Sequence, residues 1–174
     1  MRTITINENG LTDDKIDIRN SKSRAILVDG DNILVANYNG VWLLPGGSID
    51  KGETETQAIL RELREETGVD YDPQGLRKMV KLDYYQPDYP TTDGSILNRL
   101  ITTFYFVSQF HGTNVNGMQR TEKEKKYGFR LELVGLDELL KRLDDKSDNP
   151  RREFFNRELR EVLNAYKQEK SNEQ

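Results

Sequence analysis

The sequence predicts an α/β domain of the α+β kind, a mixed β-sheet covered by helices on both faces. Three observations predict it. Two β-branched runs, residues 24–28 (RAILV) and 33–38 (ILVANY), flank the turn Asp29-Gly30-Asp31-Asn32 and read as a β-hairpin. Residues 54–67 have helical spacing with a capping residue at each end. A second helical pattern follows Asn149-Pro150. Strands and helices therefore alternate irregularly, which suits an α/β/α sandwich.

Residues 1–22 read as an extension. Thr3-Ile4-Thr5-Ile6 and Lys15-Ile16-Asp17-Ile18 alternate around the turn dipeptide Asn9-Gly10, which predicts a hairpin or an edge strand. Such an arm could pair with a second subunit, and a homodimer is one expectation. After the first hairpin, Val41–Leu44 reads as a short strand. Pro45-Gly46-Gly47 stops it, because proline lacks a donor and glycine opens unusual backbone angles.

The clearest helix is 54–67. Thr54 is an N-cap with Gln57 three residues on, the spacing of a capping box. Gly68 is a C-terminal stop. Ala58, Ile59, Leu63 and Leu60 supply the buried stripe. Residues 76–85, 100–107 and 129–134 read as further strands, and 86–98 as a loop. Asp137–Leu143 reads as a short helix. The last helix puts Phe154, Phe155, Leu159, Val162, Leu163 and Tyr166 on one stripe, with residues 169–174 fraying. The main domain is thus expected over 23–168.

The 174 residues carry a net charge of −4 and no cysteine. Thiolate chemistry, disulfides and cysteine zinc sites are excluded. A mildly acidic chain carries no nucleic-acid or membrane signal. No stretch reaches the ~18 apolar residues of a membrane span, and residues 1–10 lack a signal-peptide pattern. A cytoplasmic chain is the expectation.

The chemistry is concentrated in Gly47–Val69, GSIDKGETETQAILRELREETGV. Glu62, Glu65 and Glu66 stand at i, i+3 and i+4, so one helix face gathers three carboxylates. Their repulsion calls for a positive partner. A hard divalent cation, Mg²⁺ or Mn²⁺, prefers such oxygens. Arg61, four residues before Glu65, is a second counter-charge, and Glu53 reaches back to the same region. The Gly46 carbonyl offers a neutral ligand.

The segment resembles the Nudix box, Gly-X5-Glu-X7-Arg-Glu-U-X-Glu-Glu-X-Gly-U, with U aliphatic. Gly47, Glu53, Arg61, Glu62, Leu63, Glu65, Glu66, Gly68 and Val69 fill all nine specified positions. A chance match is on the order of 10⁻¹⁰ per start site. The resemblance to Nudix hydrolases implies a loop–helix–loop against a mixed sheet. It implies hydrolysis of a nucleoside diphosphate derivative: a nucleotide sugar, a dinucleotide or a nucleoside triphosphate. By the same resemblance Glu62, Glu65, Glu66 and the Gly46 carbonyl bind metal, with Glu53 and Arg61 supporting them. The general base is Glu65 or a later-loop glutamate, with Glu122 and Glu124 as candidates.

Substrate contacts are expected from Arg24, Arg99, Tyr85 and Tyr89, with Lys81 and Arg120 as further phosphate ligands. His111, the only histidine, has no partner nearby in sequence. Gln86-Pro87-Asp88-Tyr89-Pro90 resembles part of the QPWPFP stretch of NADH pyrophosphatases, but Asp88 replaces the tryptophan. Two other subfamily hints, toward dinucleoside polyphosphate hydrolases and ADP-ribose pyrophosphatases, compete with it. The second functional class is a non-catalytic Nudix module that binds a nucleotide or a protein.

Overall fold

The computed structural model describes residues 1–38, 40–119, 122–126, 128–144 and 149–172. Eight strands form one mixed sheet: β1 (Arg2–Ile6), β2 (Ile18–Asp29), β3 (Asn32–Tyr38), β4 (Val41–Leu43), β5 (Gly46–Ser48), β6 (Arg77–Pro90), β7 (Ile96–Gln109) and β8 (Arg130–Gly135). The main path runs β1-β6-β7-β2-β3-β4, with β5 paired to β2 and β8 paired to β3. The β1–β6 and β2–β7 pairs are parallel and the others antiparallel. Among the described residues four α-helices accompany the sheet: α1 (Glu55–Thr67), α2 (Glu122–Lys126), α3 (Leu136–Asp144) and α4 (Pro150–Asn172).

Alternation along β2 divides the core. Ala25 and Leu27 pack with Ile59 and Leu63 of α1. Ile26 and Val28 pack with Leu139 of α3 and Leu159, Val162 and Leu163 of α4. Successive side chains of a strand point to opposite faces, so one sheet serves two apolar layers. We call these the α1 face and the α4 face.

The ends of α1 are set by local chemistry. Thr54 Oγ1 accepts from the Gln57 N–H at 3.2 Å, and the Gln57 side chain accepts from the Thr54 N–H at 2.9 Å. Gly68 ends the helix in the left-handed region at φ 73°. A Cβ there would collide with the Asn114 carbonyl. That close approach lets the Asn114 N–H donate to the Thr67 carbonyl at 2.7 Å and the Gln119 N–H to the Glu65 carbonyl at 2.8 Å. Two carbonyls left over at the helix end are thereby satisfied.

Of the two readings of residues 1–22, the edge strand holds and the hairpin does not: β1 lies at the end of the sheet path paired to β6, 13–15 forms a single 3₁₀ turn, and β2 begins at Ile18. Three further expectations are corrected. The interval 86–98 is not a loop: β6 and β7 continue through it as a hairpin, with a register shift between Gln86 and Tyr89. The shift absorbs Pro87, which has no N–H for the ladder, and Asp88, at φ 52°. The glycines of 46–47 form a strand on β2 rather than only a stop. Finally, α4 stays helical through Asn172.

Leu63 is fully buried, whereas Leu133 is 39% exposed. Leu63→Ala is expected to lower unfolding stability by about 2–5 kcal/mol. Leu133→Ala should change it by less than about 0.5 kcal/mol. Urea unfolding of the two variants measures both.

Candidate active site

The Gly46–Gly47 strand lies between β2 and the middle of α1. Gly46 pairs with Arg24 and Gly47 with Ser23. The Ser23 hydroxyl donates to the Glu55 carbonyl at 2.8 Å, fixing the start of α1 to β2. Gly46 has φ 131°, and a Cβ on it would strike the Ser23 carbonyl. A Cβ on Gly47 would fall on the Glu62 carboxylate. Glycine is required at Gly46 by its positive φ and the β2 backbone against it, and at Gly47 by the Glu62 carboxylate of α1.

The three box glutamates take different partners. Glu66 is buried, and its Oε2 accepts from the Gly46 N–H at 3.1 Å. Glu62 lies against Gly47 and accepts from Arg61 Nη1 at 2.8 Å. Glu65 stands 3.7 Å from Arg61 Nη1. Arg61 also donates to both Glu53 oxygens, at 2.8 and 3.0 Å, and to the Ser48 carbonyl at 3.0 Å. A single guanidinium thus joins the loop before α1 to the acidic face of α1. The planar fork of arginine suits this task in a way a lysine ammonium does not.

The electrostatics follow from this arrangement. Burial pushes the Glu62 carboxyl up, and Arg61 pulls it partly back. Hydrogen bonds from Arg61 hold the Glu53 carboxyl down to about 2. The arginine itself is raised by the same bonds.

Among the described residues, no group of three or more His, Asp or Glu side chains is placed to hold a metal ion. The donor chemistry nevertheless fits one. Glu62, Glu65, Glu66 and the Gly46 carbonyl offer only oxygen, the donor that hard divalent cations prefer. A cation would also offset the burial of Glu62. The Gly46 carbonyl already accepts from Arg24 Nη1 at 3.2 Å, which leaves one of its two lone pairs.

The expected substrate contacts separate. Arg24 is buried, with 8% exposure, and Nη1 donates to the Leu44 and Gly46 carbonyls. It braces the turn into β5. The cavity beside it, lined by Trp42, Tyr105, Phe155 and Glu158 among others, holds about 10 Å³, space for one water at most. Arg99 and Tyr89 do meet: the guanidinium carbon lies 3.6 Å from the ring centre, and Gln86 accepts from Arg99 at 2.5 and 3.2 Å. Tyr85 does not join them. It is opposite Leu100, one residue out of phase with Gln86–Arg99, and so lies on the α1 face. Lys81 is on that face too, paired to Asp83 at 2.9 Å.

Glu122 sits on α2, not on a loop, and its carboxylate pairs with Lys125 at 2.7 Å while 89% exposed. The Glu124 side chain and Arg120 lie outside the described residues. The exposed residue His111 has its ring 5.2 Å from that of Tyr71.

Sequence reasoning missed one residue. Glu158 is buried at 5% exposure and accepts from Tyr105 Oη at 2.5 Å and Thr103 Oγ1 at 3.1 Å. Its signal was a carboxylate next to Leu159 and three residues from Phe155, at the edge of an apolar stripe.

A carboxylate-lined loop–helix–loop packed on a mixed sheet between helices defines the class of this protein. The chain belongs to the NUDIX family: the NUDIX domain model matches residues 16–157. It is similar to the 8-oxo-dGTP diphosphatase of Escherichia coli (strain K12), 34% identical over 93 residues, which cover 53% of this chain and 59% of that protein. It also matches the RNA pyrophosphohydrolase of Erythrobacter litoralis, 58% identical over 33 residues, or 19% of this chain and 20% of that protein. The match therefore spans little more than half of the first relative and a fifth of the second. In structure it resembles the MutT protein from Methanosarcina mazei Go1, with a TM-score of 0.57, 15% identity, and coverage of 87% of this chain and 95% of that one. That likeness shows the fold.

The Glu53–Arg61 bond makes a pH prediction. The Glu53 carboxyl falls from its ordinary 4.5 to about 2 on folding. A depressed acid stabilises the fold above its unfolded value and loses that contribution as pH drops through the folded one. Wild type is therefore expected to be more stable than Glu53→Gln at pH 6. The gap should narrow progressively between pH 4.5 and 2, as read by paired thermal melts. A gap constant with pH contradicts the assignment.

Proposed function

We propose that this chain hydrolyses a diphosphate linkage in a nucleoside diphosphate derivative, with Glu62, Glu65, Glu66 and the Gly46 carbonyl holding Mg²⁺ or Mn²⁺. The observation that carries the reading is the docking of the acidic face of α1 onto Gly46 and Gly47, with Arg61 set against Glu62 and Glu65. The complete box and family membership support it. The names of the relatives, which act on 8-oxo-dGTP or on RNA, give the same bond type.

When bound, the divalent cation neutralises phosphate oxygens and makes a water more acidic. Glu66 keeps the Gly46 backbone against α1, and Glu62 fills the space over Gly47. Arg61 holds Glu62 through one bond at 2.8 Å. Its contact to Glu65, at 3.7 Å, is longer than the 2.8 Å bond to Glu62, so of these two carboxylates Glu65 is the freer to swing toward the reacting water. Glu65 accepts the proton of that water as its oxygen attacks phosphorus and the bridging P–O bond breaks. Two phosphorylated products leave. The cytosol is the natural compartment for such a substrate, and the open edge of β1 gives a second copy a strand to pair with.

A panel of nucleoside diphosphate derivatives with Mg²⁺ tests the reading through released phosphate. Turnover of at least one member is expected, abolished by chelator and restored by excess Mg²⁺. Glu65→Gln and Glu66→Gln should each lose roughly 10²-fold or more. The thermal midpoint should hold in both, since the side-chain amide oxygen introduced by Glu66→Gln can still accept from the Gly46 N–H. Silence across the panel, with tight nucleotide binding, would instead establish a binding module.

A further inference from the structure

Arg24 and Glu158 are buried charges that leave part of their bonding capacity unused. Arg24 is 8% exposed, and its Nη1 donates to the Leu44 carbonyl and, at 3.2 Å, to the Gly46 carbonyl. Nε and Nη2 carry the other three of a guanidinium's five donor hydrogens. Among the described residues they meet no acceptor. Glu158, 5% exposed, accepts from Tyr105 Oη and Thr103 Oγ1 through Oε1 alone. Its Oε2 meets no donor among the described residues. Charged groups left half satisfied away from water are unfavourable, so each of these unused edges calls for a partner.

The fold brings the two edges to one place. Arg24 on β2 is level with Tyr105 on β7, and the Tyr105 hydroxyl holds Glu158. All three line the cavity of about 10 Å³. Trp42, Phe155 and Leu159 give it apolar walls. No ion pair joins Arg24 and Glu158 directly, and the space they share has the size of one water. The place matters because of what Arg24 touches. The Gly46 carbonyl is one of the oxygens assigned to the divalent cation, and it already accepts from a full positive charge. Two cations on one carbonyl oppose each other, the more so behind apolar walls. A carboxylate sharing the cavity offsets the guanidinium charge and leaves the carbonyl dipole available.

We propose that Glu158 is a positioning residue for the metal site. Through one water in this cavity it holds the Arg24 guanidinium and offsets its charge, so that Gly46 can present its carbonyl to a divalent cation. The inference rests on the catalytic reading for the placement of that cation. Glu158 acts through Arg24 and one carbonyl oxygen, not on the reacting atoms. Groups that orient a metal ligand from behind contribute strongly to metal affinity.

Mn²⁺ binding to the full chain, followed through the electron paramagnetic resonance signal of the free ion, tests this without substrate. Glu158→Gln keeps the shape and an oxygen to accept from Tyr105 and Thr103, but removes the charge. It should weaken Mn²⁺ binding roughly tenfold or more. Glu161→Gln, at an exposed carboxylate on the same helix, makes the same change in net charge and should leave binding unaltered. In an Arg24→Met background Glu158→Gln should cost nothing further, because the charge it offsets is gone. Thermal melts check that each variant folds. If Arg24→Met does not fold, the contrast between Glu158→Gln and Glu161→Gln decides. If Glu158→Gln does not fold, Glu158→Asp decides: it draws the charge back by one carbon and should also weaken binding. Unchanged affinity in the folded Glu158 variants, an equal loss in Glu161→Gln, or an undiminished loss in the Arg24→Met background overturns the inference. Glu65→Gln tests the metal reading by itself and should weaken Mn²⁺ binding whatever Glu158 does. A wild-type chain that binds no Mn²⁺ overturns both.

Discussion

The geometry of the site depends on one guanidinium. Arg61 bonds both oxygens of Glu53, one of Glu62 and the Ser48 carbonyl, and approaches Glu65. Without it, the loop before α1 would lose its charged tie to the acidic face of the helix, and three carboxylates would repel one another along that face. With it, the loop is drawn down until Gly46 and Gly47 meet Glu66 and Glu62. The steric demand for glycine at Gly47 and the electrostatic demand for arginine at Arg61 both arise at the Glu62 carboxylate. Much of the cluster is shielded from water, so salt weakens it less than it would an exposed pair.

The sheet keeps its two jobs on two sides. The α1 face holds the acidic helix and the Ser23–Glu55 bond that registers it. The α4 face carries Lys22, Arg24, Arg99 and the buried Glu158. Arg24 is the link between them: it projects from the α4 side yet bonds the carbonyl of Gly46, whose N–H is bound to Glu66. Gly46 is thus held from both faces of the sheet through one residue of backbone. Phe154 stacked on Tyr84 at 4.2 Å, with Arg157 paired to Glu8, anchors the first turns of α4 over this region.

What the sequence revealed was local. The boundaries of α1 were readable because Thr54, Gln57 and Gly68 determine them within a few residues. The acidic face was readable because helical phase alone aligns Glu62, Glu65 and Glu66. What required the fold was everything set by pairing over long separations. Tyr85 and Tyr89 look equivalent in the sequence, yet the register shift after Gln86 and simple strand parity send them to opposite faces. Arg24 reads as a phosphate ligand until its partners prove to be backbone carbonyls. Glu158 becomes notable only once β2, β7 and α4 are brought together, since no motif joins residues so far apart in the chain. The β6–β7 hairpin outran its expected length because Pro87 suggested an interruption, while a bulge accommodates it.

The contacts that close the end of α1 are made in main-chain atoms. Asn114 and Gln119 donate their amide hydrogens to the carbonyls of Thr67 and Glu65, and neither bond involves a side chain. Within 114–119 two residues are constrained by more than these bonds: the Asn114 side chain accepts from the Asn116 N–H at 3.2 Å, and any residue larger than glycine at Gly117 would press on Gly68. A segment anchored through its main chain, beside a glutamate whose orientation matters, is raw material for divergence. New side chains can be tried next to the acidic helix without disturbing the clasp that holds it.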